Sequence, residues 1–534
     1  MTENNYSPES KHSNSSDNNN EIIPTSTTDV LKQLTRPGEG LLTSLGPNFN
    51  NTTFGRDSLI AAREMLDTKP EITHDVILNL AKLQGTKNSR LSDEAPGRIH
   101  HEHRDFQTWQ PERVTSKIAF QALSYLWGGN RNEMTTYFSM DSTPLFTLLV
   151  ADYAKKHPEI LDEKIIRKDN QEITVEQSMI NATSWVADNI DEKSGLVKIE
   201  KRNITGLVHQ TWKDSPTGYI RDDGKIADVF QPIAYLEIQA LAANSLSAAA
   251  EIISENKPDQ AKQWKTTADS IIKNTIDKFW MEDKQFFASA IDKDDHNEEQ
   301  LLRTIQSDAG RMLDSNFFDN LPEIDRIKYI TGITKTLFSK DFLTDAGVRS
   351  RALQYADKSD VADYHGSLVS WPIDTYLTAK GLRKQGLPRL AEQLESRILN
   401  AVSISGNHYE FFYVMSDGKV LLDPDGAKQK RPNAKDIPVQ MYPDSNAVWT
   451  VAAVHAIESN DNQSTANSDN NTWQSQLENE ILSNIKNVST DVSSMPEQPN
   501  IYLDIKKGGE ITTKKVIKEM GALAIKHYLL GYKK

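Results

Sequence analysis

Apolar side chains recur at helical spacing along most of this chain. Between residues 142 and 157, Leu145, Leu148, Leu149 and Tyr153 stand at positions i, i+3, i+4 and i+8, which puts them on one face of a helix. The same pattern predicts roughly a dozen helices, over residues 56–67, 71–85, 112–127, 142–157, 174–189, 230–255, 258–280, 323–338, 366–386, 388–402, 438–457, 472–487 and 512–530.

Strand-like alternation is rare. The exception is residues 408–423, where two β-rich runs flank Ser416-Asp417-Gly418, and Asp-Gly between such runs predicts a hairpin. We therefore expect an all-α fold with one small β-hairpin. Periodicity alone leaves open whether the helices form a bundle, a solenoid or a closed ring of helical hairpins.

Two segments differ in composition from the rest. Residues 1–34 are rich in Ser, Asn and Asp, and such a segment buries too little apolar surface to offset its ordering entropy. We expect it to be disordered, and residues 35–534 to form one domain. A low-complexity stretch near 459–472 is expected to be a surface loop in that domain.

Composition narrows the classes of ligand. Hydrophobic residues make up 37% of the chain and charged residues 25%, and the formal net charge is −14. A negative chain disfavours nucleic acid and anionic membranes but not a neutral sugar. There is no cysteine, which rules out disulfides and thiolate catalysis. The N-terminus has no secretory pattern and no run reaches the ~20 apolar residues of a membrane span, so we expect a cytoplasmic protein.

The loops between the predicted helices combine aromatic rings with carboxylates, as a sugar-binding pocket does. Glycoside hydrolysis needs two carboxyl groups on opposite sides of the anomeric carbon, one protonated and one ionised. Asp214 follows Trp212 and Lys213, and Glu410 stands in the candidate hairpin. An indole beside Asp214 would raise the pKa of that carboxyl, whereas Lys213 would lower it, so we expect Lys213 to point away.

The residues alone do not single out this pair. The chain has 75 acidic residues, and most acidic side chains in any protein lie on the solvated surface. An aromatic neighbour increases the chance that Asp214 or Glu410 is catalytic only modestly.

Six ordered motifs carry a family resemblance. They are FGRDSLIA at 54–61, GRIHHEHR at 97–104, YFSMDSTPLF at 137–146, QTWKDS at 210–215, YHGSLVSWPIDTYLTAKGL at 364–382 and PVQMYPDSNAVWTVAA at 438–453. With them the chain resembles the amylo-α-1,6-glucosidase domain of glycogen-debranching enzymes and related α-glucosidase-like hydrolases, including glucosylglycerate-type hydrolases. The resemblance spans about residues 54–455 and implies an (α/α)6 barrel, a toroid of six helical hairpins with long active-site loops.

The resemblance also implies site residues. The Asp of the WKDS motif is the general acid of the family, which falls on Asp214, and the Glu of the penultimate region is the base, which falls on Glu410. The pocket loops together give the expected substrate-binding residues Phe54, Arg56, Asp57, His100, Glu102, Asp141, Trp212, Lys213, Tyr364, His365, Trp371 and Gln440.

The chain departs from the family pattern in three places. Tyr409 replaces the Pro that usually precedes the base, and Ser370 departs from the family motif Gly-Ser-Val-Trp-Pro just before Trp371. The segment before Phe54 is too short for the N-terminal β-sandwich that relatives often carry. A bare barrel fits a short glucoside or oligosaccharide at least as well as glycogen. The function expected is therefore inverting hydrolysis of a terminal glucose-type unit, with no cofactor and no metal; the oligomeric state is left open.

Other interpretations of these residues stay open. His100, His101 and His103 could chelate zinc, although structural or hydroxyl-binding histidines are the plainer interpretation. Asp141 could cap a helix or face the pocket. At the level of function, the alternatives are a phosphorolytic or other carbohydrate-active enzyme on the same barrel, or a sugar-binding helical protein without catalysis.

Overall fold

The computed structural model describes residues 26–46, 48–111, 114–294, 296–356, 363–421, 443–460 and 472–490. Helices dominate these ranges. They are α1 (Thr27–Leu34), α2 (Gly55–Glu64), α3 (Pro70–Lys82), α4 (Val114–Leu126), α5 (Ser142–Ala154), α6 (Val175–Asp188), α7 (Leu236–Ile253), α8 (Pro258–Phe279), α9 (Asp308–Arg311), α10 (Glu323–Leu337), α11 (Pro372–Lys384), α12 (Pro388–Ser405), α13 (Val448–Asn460) and α14 (Trp473–Thr490).

The strands are short and belong to small antiparallel sheets. They are β1 (Thr35–Arg36), β2 (Gly40–Leu41), β3 (Thr52–Phe54), β4 (Glu102–Asp105), β5 (Glu133–Thr136), β6 (Lys164–Ile166), β7 (Glu172–Thr174), β8 (Ala234–Tyr235), β9 (Trp280–Met281), β10 (Phe286–Phe287), β11 (Ala290–Lys293), β12 (Glu299–Leu302), β13 (Leu343–Thr344), β14 (Gly347–Val348), β15 (Val369–Ser370) and β16 (Phe412–Tyr413). Two sheets have three strands, in the orders β3-β4-β5 and β12-β11-β8.

Six helices close into an inner ring. In spatial order α2 packs on α5, α5 on α7, α7 on α9, α9 on α11, α11 on α13, and α13 again on α2. Inner helices are buried nearly all round; in α5 only one of the 13 residues, Asp152, is not buried. A helix that is apolar on every side needs neighbours on every side, and a central position in a ring supplies them.

The outer helices are amphipathic and pack against the inner ones. In chain order α3 packs on α2, α6 on α5, α8 on α7, α10 on α9 and α12 on α11. In α8 the buried residues Ala261, Trp264, Ala268, Ile271 and Ile272 recur every three or four positions, which is the spacing of one helical face. The expected ring of helical hairpins is confirmed.

Short strands lead directly into several inner helices. Strand β3 ends at Phe54 before α2, β8 ends at Tyr235 before α7, and β15 ends at Ser370 shortly before α11. The loops and strands at the N-terminal ends of the inner helices therefore gather at one end of the ring, and several of the sequence motifs lie in these same segments.

Twelve of the predicted helices are confirmed, and the segment 512–530 lies outside the described residues. Two helices were missed. One is α9, which has only four residues, and the other is α1. Because α1 buries Val30, Leu31 and Leu34 against α13, the predicted disordered segment cannot extend to residue 34; residues 1–25 lie outside the described residues, as do residues 461–471 of the predicted loop.

The predicted hairpin is present in part. Met415 and Lys419 are joined by a backbone hydrogen bond of 2.8 Å around the Asp417-Gly418 turn, and Gly418 has a φ of 90° that suits glycine. The first half of the segment, β16, does not form its strand pairs within the hairpin. It pairs antiparallel with β15. No helix of the described ranges is long and apolar enough to cross a bilayer.

Candidate active site

Arg56 joins three segments at the open end of the ring. From the first turn of α2, its Nε donates to Asp141 at 2.5 Å and a terminal nitrogen donates to the Thr211 carbonyl at 2.7 Å. The other terminal nitrogen lies 3.7 Å from Oδ2 of Asp214. The buried guanidinium thereby ties the start of α2 to the start of α5 and to the loop that carries Asp214.

Asp214 lies where this loop reaches the pocket, and its side chain is 18% exposed. The Tyr364 hydroxyl donates to Oδ1 of Asp214 at 2.9 Å. Burial raises the pKa of Asp214 to about 6, although Arg56 and the Tyr364 hydrogen bond both lower it. Desolvation thus raises the pKa of Asp214, in the direction that a general acid requires.

Glu410 precedes β16 and is 9% exposed. Its backbone N–H donates to the Asp444 carbonyl at 3.0 Å, and its buried Oε2 has no hydrogen-bond partner among the described residues. Burial raises the pKa of Glu410 well above its ordinary range, and the negative charges of Asp444, Asp57 and Asp214 raise it further. Because the charge of Asp214 acts on Glu410, the two carboxyls share one charge environment, although 195 residues lie between them in the chain.

The two carboxyls have different neighbours. Asp214 has a cation and a hydroxyl donor beside it, both of which stabilise its ionised form. The largest charge effects on Glu410 come from carboxyls, which stabilise its protonated form, and a backbone hydrogen bond from Asp444 opposes them.

Asp57 is a third buried carboxyl in the same place. Burial raises the pKa of Asp57 to about 7, an effect that Arg56 partly offsets and that the charges of Asp214 and Asp141 reinforce. The charge of Asp214 acts on Asp57, and the charge of Asp57 acts on Glu410. Asp57 therefore interacts electrostatically with both candidate catalytic residues.

Lys213 points away from Asp214, as expected from the sequence. Its fully buried ammonium donates to Gln306 at 2.9 Å, to Asp308 at 3.1 Å and to the Ser350 carbonyl at 2.8 Å. An ammonium has three N–H donors, so none is left for a ligand. The predicted contact of Lys213 with substrate is therefore wrong, and the residue instead holds the loop against the start of α9.

Trp212 and Trp371 form a buried wall behind the pocket. The indole N–H of Trp212 donates to Asp308 at 2.8 Å and that of Trp371 to the Tyr364 carbonyl at 2.7 Å. Their ring centroids are 5.9 Å apart in an edge-to-face arrangement, and His365 stacks on Trp371 at 4.9 Å. All three side chains are almost fully buried, so they offer no free ring face, which corrects their expected direct contact with substrate.

The predicted residues of the 97–104 motif also lie behind the pocket surface. Glu102 is paired with Arg104 at 2.6 Å, and His100 is fully buried, with its pKa lowered to about 3 by burial. A neutral, enclosed His100 and a paired Glu102 are supporting residues, which corrects their expected contact with substrate. Phe54 is only half-buried, and its ring meets those of Phe49 and His101 edge to face.

The metal interpretation of the histidines finds no support. In the part of the chain that the structure describes, no three His, Asp or Glu side chains are grouped to hold a metal ion. Asp141 occupies the N-cap position of α5, yet its side chain makes no capping hydrogen bond; it binds Arg56 and accepts from Ser139 instead. Its carboxylate is therefore occupied by Arg56 and Ser139, which corrects its predicted direct contact with substrate. Gln440 lies outside the described residues.

Sequence reasoning missed two acidic residues near the site. Asp444 accepts hydrogen bonds from Ser44 at 2.6 Å and from the Phe49 backbone at 3.1 Å, and so fixes the loop before α2 beside Glu410. Its place in the matched segment 438–453 was the available signal. Glu237 is buried beside a cavity of about 60 Å³ lined by the inner helices, 3.6 Å from Arg311.

Comparison with known proteins agrees with this architecture. Residues 171–417, which include both Asp214 and Glu410, match the family model of the mannosylglycerate hydrolase MGH1-like glycoside hydrolase domain. No curated protein sequence matches the chain.

Two solved structures are similar over most of the chain. The GH63 mannosylglycerate hydrolase from Thermus thermophilus in complex with glucose is 12% identical with a TM-score of 0.53, and the same enzyme in complex with Tris and D-glycerate is 12% identical with a TM-score of 0.51. Each alignment covers 81% of this chain and 98% of the other. At this identity the likeness concerns the fold, an (α/α)6 ring. Together with the family match it confirms the resemblance inferred from the motifs, and the chain is a glycoside hydrolase.

Proposed function

We propose that this protein removes a terminal glucose-type unit from an α-glucoside or short oligosaccharide with inversion of the anomeric carbon. The observation that carries the proposal is the pair Asp214 and Glu410, two buried carboxyls in one charge environment with raised pKa values. A pair of carboxyl groups is what single-displacement glycoside hydrolysis requires.

In the proposed reaction Asp214 gives its proton to the glycosidic oxygen as the bond from that oxygen to C1 breaks. A water oxygen attacks C1 from the opposite face, and Glu410 accepts the proton that the water loses. The products are the β-anomer of the sugar and a free alcohol, with Asp214 ionised and Glu410 protonated. Arg56 and Tyr364 hold Asp214 in place through the contacts described above.

The reaction requires the proton to lie on Asp214 and not on Glu410 when substrate is bound. A water that donates to the buried Oε2 of Glu410 would stabilise the carboxylate and lower its pKa. We therefore propose that the bound water keeps Glu410 ionised while Asp214 stays protonated.

Hydrolysis is favoured over phosphorolysis by the charges around Glu410. The largest charge effects on Glu410 come from the carboxyls of Asp444, Asp57 and Asp214, and the basic cluster that would bind a phosphate anion is not among them. A neutral water needs no such cluster.

Small aglycones belong in the substrate panel. The matching domain is named for mannosylglycerate hydrolase, and solved relatives hold glucose or D-glycerate. We propose to test α-glucosyl and α-mannosyl derivatives of glycerate beside isomaltose and other short α-glucosides.

The mechanism is tested by following the released sugar by NMR. The β-anomer is expected first; release of the α-anomer would overturn inversion. Asp214→Asn and Glu410→Gln are each expected to lower kcat by ~10²–10⁴-fold. Glu282→Gln and Asp283→Asn remove exposed carboxyls in the turn after α8 and should leave kcat unchanged.

The two roles are separated by chemical rescue. Azide can replace the water that a missing base would activate, so Glu410→Ala with azide should form a β-glycosyl azide from an α-glucosyl substrate. Asp214→Ala should retain more activity on α-glucosyl fluoride than on a glycoside whose leaving group needs protonation. Azide rescue of Asp214→Ala in place of Glu410→Ala would exchange the roles.

A further inference from the structure

Helix α4 has apolar side chains on two faces, but the described residues cover only one of them. On the inner face Phe120 and Leu123 pack against a small second core that contains Trp109 and Trp127. On the outer face Val114, Ile118, Ala122 and Tyr125 follow one another at i, i+4, i+8 and i+11, and all four are exposed. A helix that is apolar on both faces normally has a packing partner on each.

The outer face of α4 continues onto two neighbouring loops. The side-chain amide of Asn203 donates to the Leu91 carbonyl at 2.5 Å and to the Leu126 carbonyl at 3.1 Å. This clamp brings Leu91, Leu126 and the adjacent Ile204 together beside Tyr125. We call the set of Val114, Ile118, Tyr125, Leu126, Leu91 and Ile204 the α4 patch.

The α4 patch is large for a surface that stays in water. Exposure of its six side chains runs from 53% at Leu91 to 76% at Val114. Six half-exposed large side chains make on the order of 600 Å² of apolar surface, the upper end of what the surface of a monomer shows. One partner of a standard stable interface buries about 800 Å², so the patch with its polar rim approaches that size.

Charge indicates which partner fits. The chain carries a formal net charge of −14, so two copies repel each other over most of their surfaces. Helix α4 has a single charged residue, Lys117. Exposed charges of both signs border the patch in the chain, with Arg90 next to Leu91 and with Arg131 and Glu133 after α4, and charges at a rim stay solvated. The α4 patch is thus a face on which two identical, strongly negative molecules can meet with little repulsion.

We propose that the α4 patch is the contact surface between two copies of this chain, with α4 of one copy against α4 of the other. A two-fold interface uses the same patch on both subunits, which suits an uncharged stripe that is complementary to itself. The proposal concerns assembly and stands independently of the proposed substrate.

The first test measures the mass in solution over a range of concentrations by sedimentation or light scattering. The wild-type chain is expected to be a dimer, and Ile118→Asp should raise the dimer dissociation constant by ~100-fold or more, because like charges would face each other across the two-fold axis. Ile324→Asp is the matched control: Ile324 is 77% exposed on α10, and its change should leave the dimer intact. A wild-type monomer at all concentrations, or a dimer unaffected by Ile118→Asp, would overturn the proposal.

A second test exploits the absence of cysteine from the chain. Ala122→Cys places one thiol on the exposed stripe and should give a covalent dimer with a short bis-maleimide linker, whereas Ile324→Cys should not. Circular dichroism and wild-type turnover check that each variant is folded. If Ala122→Cys stays uncross-linked, or if the wild-type chain binds anionic vesicles as a monomer, the patch serves a different partner and the proposal fails.

Discussion

The hydroxyl of Tyr364 offers the sharpest test of how the candidate acid is tuned. It donates to Oδ1 of Asp214 at 2.9 Å and lowers the pKa of that carboxyl, which burial has raised to about 6. Tyr364→Phe removes the donor and keeps the ring, which packs against Phe411 and Trp371. The substitution should therefore change the proton affinity of Asp214 without opening a cavity.

The size of the effect follows from the strength of the lost bond. A hydrogen bond to a charged group contributes ~1.5–3 kcal/mol, and one pKa unit corresponds to about 1.4 kcal/mol. The bond favours the ionised form, so its loss should raise the pKa of Asp214 by ~1–2 units. At pH 8 the protonated fraction of Asp214 would rise from roughly 1% to roughly 10–50%.

The assay is kcat/KM as a function of pH on one substrate. If Asp214 is the general acid, the alkaline limb of the profile should move to higher pH by ~1–2 units. Tyr376→Phe is the matched control, because its hydroxyl donates to the carboxyl of Glu64 at 2.9 Å near the far end of α2; its profile should not move. An alkaline limb of Tyr364→Phe that stays in place or moves to lower pH would refute the reasoning.

Three further predictions concern the supporting residues. Lys213→Met should lower the free energy of unfolding by ~3–5 kcal/mol in denaturant titrations, since it leaves a buried carboxylate unpaired; an unchanged midpoint with a raised KM would return Lys213 to the substrate site. Asp141→Asn should free Arg56 to pair with Asp214 and move the alkaline limb of kcat/KM down by ~1–3 units; an upward shift would contradict this. Burial raises the pKa of Glu237 to about 8 from an ordinary 4.5, so the folded chain keeps a proton that the unfolded chain loses, and stability falls as pH rises from 5 to 8. Glu237→Gln should remove up to ~1.4 kcal/mol per pH unit of that fall; an equally steep fall in melting temperature for the variant would show that other groups cause it.

The helices could be predicted because their signal is local. The apolar spacing of α5 or α8 is visible within one segment, and Pro258 and Pro388 mark helix starts in the sequence itself. The missed helix α9 is too short to show a period. The start of α11 at Pro372, six residues after the predicted start at 366, reflects the pairing of β15 with β16, which is a contact between segments far apart in the chain.

The candidate catalytic pair could be proposed from motifs, but its chemistry could not. The sequence Trp-Lys-Asp does not determine that Lys213 contacts Asp308 and that Asp214 contacts Tyr364. Both side-chain orientations depend on loops from other helical hairpins. The same is true of Asp444, whose carbonyl holds the backbone of Glu410. Trp212 and Trp371 show the limit most clearly, since aromatic residues in a loop look the same in sequence whether they face the ligand or the core.

By itself the sequence determined the helical class, most helix positions, the acidic charge and the segments that carry the chemistry, because each of these depends on neighbours a few residues apart or on composition. The tertiary structure alone decided which carboxyls share one environment, which cations neutralise them and which apolar stripe is left uncovered. A pKa and a contact surface are set by desolvation and by charges within a few ångströms. Only the closure of the ring, which brings residues more than a hundred positions apart within that range, creates them.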